Sequence, residues 1–410
     1  MRVLVEGSGG GAGWPEPGCR CASCLRQATA GNARKRSAIV VDGQLRLEPG
    51  GTGASAAGYR VRRVADLRSG GAGGWDVTAP DGGRLLYPAG PGAAPAPPDG
   101  TAPYDVAFLD LLGDPAQLGW LRARRLITAG TVTAVACADH RVPSERELTR
   151  RCGFWRVRLA GDGEAISPVR SAPKDQDSPA ETRRVLVLGG ARSGKSERAE
   201  LRLAGEPRVT YVATGSRGTD DPDWAARVAA HRARRPAWWR TAETTDLAGL
   251  LSADHGADHG ADHGAARGGM LIDGIGTWLA AVLDECGWDP RDGAARGTAA
   301  ARTAELVGAW RQACGYVVAV SDETGLGVVP ASAAGRLFRD ELGRLNQALA
   351  AESEEVELVV AGRVLPLGEW LGRPLGNSPV TILACVACYA SIQPSGLLRP
   401  LARVARWPLR

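Results

Sequence analysis

Lysine is nearly missing from this 410-residue chain: Lys35, Lys174 and Lys195 stand against many arginines. With alanine frequent as well, this is the mark of GC-rich coding. Aromatic residues make up only 5%, yet apolar residues reach 44%, ample for a core. The net charge of +5 is mild for this length and argues against a nucleic-acid partner. There is no run of about 18 apolar residues, so no membrane span is expected. No early apolar segment resembles a signal peptide. The nine cysteines are scattered and odd in number, which fits reduced thiols in a cytoplasmic protein. The length predicts two or three domains.

Against the scarcity of lysine, Lys195 stands out. Gly189-Gly190-Ala191-Arg192-Ser193-Gly194-Lys195-Ser196 fits G-x-x-x-x-G-K-[ST]. Arg184 to Leu188 before it is an apolar run that reads as a buried strand. Glu197 to Ala204 after it is made of good helix formers. Strand, glycine loop and helix are the setting of a phosphate-binding loop. Its amides converge on one point, and the helix start adds positive potential. In such a loop Lys195 reaches the β- and γ-phosphates and the Ser196 hydroxyl ligates Mg²⁺.

The first 170 residues read as a separate, smaller α/β domain. Arg2 to Glu6 is a strand, followed by a glycine-rich turn and Cys19-Arg20-Cys21-Ala22-Ser23-Cys24. Three close cysteines suit zinc, but a fourth ligand is missing nearby; Cys137, His140 or Cys152 could supply it after folding. Reduced structural thiols are the favoured reading. This opening resembles metallo-β-lactamase-fold proteins, as do the later stretches Ser37 to Asp42, Tyr104 to Asp110 and Val132 to His140. That fold's chemistry needs a His-x-His-x-Asp-His cluster, and the block holds one histidine, His140. The resemblance therefore implies a degenerate, inactive relative. Gly90 to Gly100 is a Pro/Gly connector within this block. Residues 171–182 form a polar linker to a second domain at 183–370, and 371–410 read as a poorly packed extension. Cys385-Val386-Ala387-Cys388 in that tail lacks the setting of a redox motif.

In the second domain, Arg208 to Thr214 is a strand with Thr214-Gly215-Ser216 at its carboxyl end, the edge where parallel sheets bind ligands. Asp223 to Arg235 reads as a helix ending near Pro236. His231 lies in its last turn, beside Arg232, Ala233, Arg234 and Arg235. By itself a histidine there is a dipole-stabilising surface residue. Ser252 to Gly264 repeats Ala-Asp-His-Gly three times and reads as a surface loop. Gly269 to Asp273 is an apolar strand ending in an acid, the place of a carboxylate that holds Mg²⁺. Tyr316 to Ser321 is a further strand, delivering Asp322 and Glu323 to the same edge. Arg336 to Ala351 is an amphipathic helix and Glu357 to Gly362 a last strand. Alternating strands and helices predict a P-loop NTPase-type parallel sheet with helices on both faces.

From Val185 to about Leu365 the chain resembles the adenosylcobinamide kinase / adenosylcobinamide-phosphate guanylyltransferase family of cobalamin biosynthesis. The resemblance rests on Gly-Gly-Ala-Arg-Ser-Gly-Lys-Ser at 189–196, Tyr-Val-Ala-Thr at 211–214 and Ala-Ala-Arg-Val-Ala-Ala-His-Arg at 225–232. It continues in Arg-Pro-Ala-Trp-Trp-Arg-Thr-Ala-Glu at 235–243 and Glu-Thr-Gly-Leu-Gly-Val-Val-Pro at 323–330. It implies ATP or GTP as phosphoryl donor and a guanylylated histidine at His231. A neutral imidazole is a competent nucleophile toward the α-phosphorus, and the neighbouring arginines would offset phosphate charge. It also implies that Glu243 contacts guanine, accepting from N1–H and N2–H. Trp238 and Trp239 are open between stacking on a ligand and core packing. Two departures stand out: Ala230 replaces a histidine found beside the nucleophile in some members, and Asp273 replaces a common glutamate. The family further implies a small-molecule corrinoid substrate and a homo-oligomer, a trimer. The rival readings are a non-catalytic GTP-binding scaffold and another P-loop small-molecule kinase.

Overall fold

The computed structural model describes residues 1–51, 54–65, 72–88, 102–168, 182–215, 229, 232–253, 268–289 and 291–368. The linker expected at 171–182 (all but its last residue), the connector at 90–100, nearly all of the Asp-His-Gly repeat and the tail at 371–410 lie outside these. So do Ser216, Ala230 and His231, and most of the helix expected over 223–235; its last turn, 232–234, is helical. Residues 1–368 form one compact unit. Among the described residues no helix is long and apolar enough to cross a membrane.

Among the described residues, the first 168 positions hold two sheets and three helices. Strands β1 (Val3–Gly7), β2 (Ala38–Val41), β3 (Leu45–Leu47) and β10 (Ala165–Ile166) make an antiparallel sheet in the order β10-β1-β2-β3. The second sheet runs β4 (Arg60–Ala65), β5 (Ala72–Thr78), β6 (Arg84–Pro88), β7 (Val106–Leu109), β8 (Val132–Val135) and β9 (Arg158–Leu159). Its β4-β5-β6 part is antiparallel and the remainder parallel. Side chains alternate along each strand. Thus Val106 and Phe108 of β7 face Val3, Val5, Ile39 and Val41 of the first sheet. Ala107 and Leu109 face the opposite way, toward Leu118, Leu121, Leu148 and Trp155. Those four come from helices α2 (Ala116–Ala123) and α3 (Glu145–Trp155); α1 (Ala22–Thr29) lies in the same layer through Cys24.

The second half is a seven-stranded sheet in the order β13-β12-β14-β15-β11-β16-β17. Its strands are β11 (Arg183–Gly189), β12 (Val209–Ala213), β13 (Arg240–Glu243), β14 (Gly269–Asp273), β15 (Tyr316–Asp322), β16 (Glu355–Val360) and β17 (Arg363–Pro366). All pairings are parallel except β16 with β17. The expected parallel sheet is present, with an antiparallel edge hairpin in addition. Central β11 is buried on both faces, as a parallel strand must be. Leu186 and Leu188 point toward helices α5 (Leu247–Ala253), α6 (Ile275–Cys286), α7 (Gly293–Gln312) and α8 (Ala333–Ala351). Val185 and Val187 point toward Ala199 and Leu203 of α4 (Lys195–Leu203).

Among the described residues four helices lie on one face, and α4 on the other packs against residues of the first 168 positions. Trp155 Nε1 donates to Leu201 O at 2.9 Å, Arg122 Nη1 to Gly205 O at 2.8 Å, and Arg156 pairs with Glu206 at 2.6 Å. Gly119 makes the contact close: a Cβ there would stand 2.5 Å from Glu206 O. Glu147 of α3 reaches Arg198 of α4 at 2.8 Å. Arg198 and the fully buried Arg202 in turn pair with Glu357 at 2.7 Å each.

Candidate active site

The loop Gly189–Ser196 crosses from the end of β11 to the start of α4. Gly194 sits at the helix N-cap with φ +96°, a left-handed conformation that glycine adopts without steric cost. Gly189 is required by proximity: a Cβ there would lie 2.5 Å from Ser193 Oγ and 2.7 Å from Val359 O. Gly190, Ala191 and Arg192 form the exposed crown, with Arg192 also left-handed at φ 57°. No side chain caps α4, and its first N–H groups have no partner within the helix. Ser193 Oγ is buried without a hydrogen-bond partner. An open crown, an uncapped helix start and an orphaned hydroxyl are what a polyphosphate cradle requires.

Five strand ends lie along this edge. In register, Gly189 pairs with Asp322, Ala213 with Asp273, and Ala213 with Glu243. Lys195 Nζ reaches across the loop to Gly190 O at 3.1 Å and to Asp322 Oδ1 at 2.8 Å. Ser196 Oγ donates to Asp273 Oδ1 at 3.2 Å, and Tyr211 OH donates to Asp273 Oδ2 at 2.9 Å. Burial, then the Asp273 charge, pushes the Tyr211 phenol far above its ordinary range, so it stays a donor. Two oxygen donors 3.2 Å apart suit adjacent positions on an octahedral ion, where ligand oxygens stand about 2.9 Å apart. Ser196 and Asp273 therefore fit Mg²⁺, and the shorter aspartate still reaches the hydroxyl.

The segment after His231 is tied to the same place. Arg235 stacks on the Tyr211 ring, its guanidinium carbon 3.5 Å from the centroid. Arg234 pairs with Glu200 of α4 at 3.1 Å. Arg232 and Ala233 are exposed. Thr214 is buried and donates to Gly274 O at 2.7 Å, so it fixes the β12–β14 edge, and Gly215 follows it half-buried. Glu243 ends the edge strand β13. Trp239 packs in the core and Trp238 is largely exposed.

Asp322 was singled out by its strand end but not as a site residue, and Tyr211 only as part of a strand. Asp322 touches Lys195 of the phosphate loop, and Tyr211 touches Asp273. Asp322 is held from behind: Ser321 Oγ donates to Asn346 Oδ1 at 2.6 Å, and Asn346 Nδ2 donates to Asp322 O at 3.1 Å.

Residues 185–367 match the family described as cobinamide kinase / cobinamide phosphate guanyltransferase. The bifunctional adenosylcobalamin biosynthesis protein CobP of Pseudomonas aeruginosa is 41% identical over 199 residues, spanning 47% of this chain and 99% of CobP. The CobU proteins of Salmonella typhimurium and Escherichia coli are 41% and 39% identical over 184 residues, each covering 43% of this chain and 96% of CobU. With nearly the full length of these relatives aligned over a phosphate loop and its acidic strand ends, the chain belongs to the cobinamide kinase / cobinamide phosphate guanyltransferase family.

Proposed function

We propose that this protein phosphorylates the aminopropanol hydroxyl of adenosylcobinamide with ATP or GTP, then guanylylates the product to give adenosylcobinamide-GDP. The observation that carries the reading is the meeting of Lys195, Ser196, Asp273 and Asp322 at one strand edge. Lys195 offsets charge on the β- and γ-phosphates, exchanging its contact with Asp322 for them. Ser196 and Asp273 would hold Mg²⁺, which when bound would supply charge neutralisation to the phosphate oxygens. In the transferase step a nitrogen of His231 attacks the α-phosphorus of GTP. The bond to the β-phosphate breaks and pyrophosphate leaves. A phosphate oxygen of the corrinoid then attacks the same phosphorus and the phosphorus–nitrogen bond breaks, freeing the imidazole.

Arg234 and Arg235, anchored on α4 and on Tyr211, support His231 as the nucleophile, because they bring its helix end to the nucleotide edge. Glu243 as the guanine contact is supported by its place on that edge. It stands four strand spacings from Gly189, about 19 Å, so a nucleotide seated on the loop must lie along the strand ends to reach it. Thr214, Gly215 and Ser216 belong to the same binding edge in this reading. Incubation with α-labelled GTP tests it: acid-labile label should attach to the protein and vanish in His231→Ala. Label that survives the substitution removes the nucleophile.

For residues 1–168 we infer a degenerate relative of the metallo-β-lactamase fold. Two sheets sharing one core, with helices outside the second, support it. We also infer a homo-oligomer, which light scattering of the purified chain tests.

A further inference from the structure

Cys19, Cys21, Cys24 and His140 present four ligand atoms that all lie within 4.8 Å of one another. Among the described residues this is the one cluster of metal-ligating side chains of its kind, and the transferase chemistry makes no use of it. The three sulfurs come from six consecutive residues that turn into α1. The imidazole comes from the loop after β8, its Nδ1 3.8 Å from Cys24 Sγ. A tetrahedral zinc ion with zinc–sulfur bonds of about 2.3 Å has ligand–ligand edges of about 3.8 Å, so the four atoms need little movement to close on it.

Two of the sulfurs accept backbone N–H groups. Cys21 is the N-cap of α1, and its Sγ accepts the Cys24 N–H at 3.4 Å. Cys24 Sγ accepts the Glu16 N–H at 3.4 Å. Amide N–H donors to sulfur are outer-shell partners of the kind that orient metal ligands. The partners are also fixed without a metal. Ser23 Oγ donates to Val142 O at 2.6 Å, and Arg26 Nε donates to Pro143 O at 3.0 Å, clamping α1 to the histidine's loop. Cys137 and Cys152, the other fourth-ligand candidates, are buried and are not part of this group. One protein group competes for the imidazole: Glu16 Oε2 lies 3.1 Å from Nδ1.

We propose that Cys19, Cys21, Cys24 and His140 bind one Zn²⁺ ion as a closed, structural Cys₃His site. Four protein ligands leave no position for water, so the ion is a staple and not a catalyst. It joins α1 to the loop that leads into α3, the helix whose Glu147 and Trp155 hold α4. This inference is independent of the transferase reading.

The test is metal analysis of the untagged full-length chain, purified without chelator and dialysed. One zinc per chain is expected, retained when His255, His259 and His263 of the Asp-His-Gly repeat are all changed to Asn. Cys21→Ser and Cys24→Ser should each bind zinc at least about tenfold more weakly, and His140→Cys, which supplies a fourth thiolate, should keep it. Substituting Co²⁺ should give thiolate-to-metal absorption with a tetrahedral visible spectrum, a signature that holds even if a serine variant folds poorly. A thermal melt should shift down with a strong chelator in the wild type and not in Cys24→Ser. Iron or no metal at stoichiometry, a disulfide among the three cysteines, or zinc kept in Cys24→Ser would overturn the site. Zinc lost in Glu16→Gln but kept in His140→Ala would overturn the histidine's place in it.

Discussion

Lys195 Nζ stands 2.8 Å from Asp322 Oδ1, so the one lysine of the phosphate loop is held by the end of the neighbouring strand before any nucleotide arrives. The pair keeps a long, flexible side chain pointed into the cradle. Binding a triphosphate replaces one carboxylate with several phosphate oxygens. Lys195→Ala should lower kcat of phosphorylation by about 10²- to 10³-fold, the usual cost of losing one charge-stabilising donor, with the melting temperature little changed. Asp322→Asn should cost less, because it frees the lysine without removing it. Steady-state kinetics of both variants check the order.

Asp273 takes hydrogen bonds from Ser196 and Tyr211 on its two oxygens. Tyr211→Phe removes only the second. If Asp273 orients Mg²⁺, that change should raise the Mg²⁺ concentration needed for half-maximal rate by about 10-fold or more, as loss of an outer-shell partner does. A rate that falls at every Mg²⁺ level with no shift in dependence would mean that Tyr211 acts on packing alone.

Glu243→Ala tests base selection separately from chemistry. A carboxylate that accepts two guanine N–H groups favours GTP, and its loss leaves those donors unpaired. The KM for GTP in guanylylation should rise about 10-fold or more, one buried charged hydrogen bond being worth about 1.5–3 kcal/mol. Phosphorylation supported by ATP should be nearly unaffected.

The Arg198–Glu357–Arg202 group should govern acid stability. Burial by itself would raise the Glu357 carboxyl, but the Arg198 hydrogen bonds and the two guanidinium charges outweigh it and hold the group below its ordinary value. A carboxyl lowered on folding contributes stability above its unfolded pKa and loses it as pH falls through the folded one. The melting temperature should therefore drop as pH falls below about 4.5. Glu357→Gln should be destabilised by up to about 3 kcal/mol at neutral pH, since two buried cations lose one carboxylate while Arg198 keeps Glu147 and Arg202 keeps Glu355. Its melting temperature should depend less on pH in that acid range.

The phosphate loop was legible because its physics is local. Spacing, two glycines and a lysine fix what the segment does before anything packs on it. Asp273 was legible for a similar reason, an acid ending an apolar run. Asp322 and Tyr211 were not, because nothing in their own segments says which strand will lie beside which. The order β14-β15-β11 alone brings Asp322 to Lys195. The edge strands β13 and β17 are short, and Arg240 to Glu243 is too polar and exposed to carry an apolar signature. His140 could be named only as one of three possible partners of the cysteines. Its 116-residue separation from Cys24 is closed by tertiary packing of α1 on the β8–α3 loop.

The account turns on a covalent step at His231, which Arg234 and Arg235 follow in the sequence, the one paired with Glu200 of α4 and the other stacked on Tyr211. The intact mass of the full chain after brief exposure to GTP and Mg²⁺, measured without acid, tests it most directly. A gain of one GMP residue per chain, absent in His231→Ala and discharged on adding the phosphorylated corrinoid, is the predicted result. An unmodified mass under conditions in which the guanylylated corrinoid still forms would contradict it.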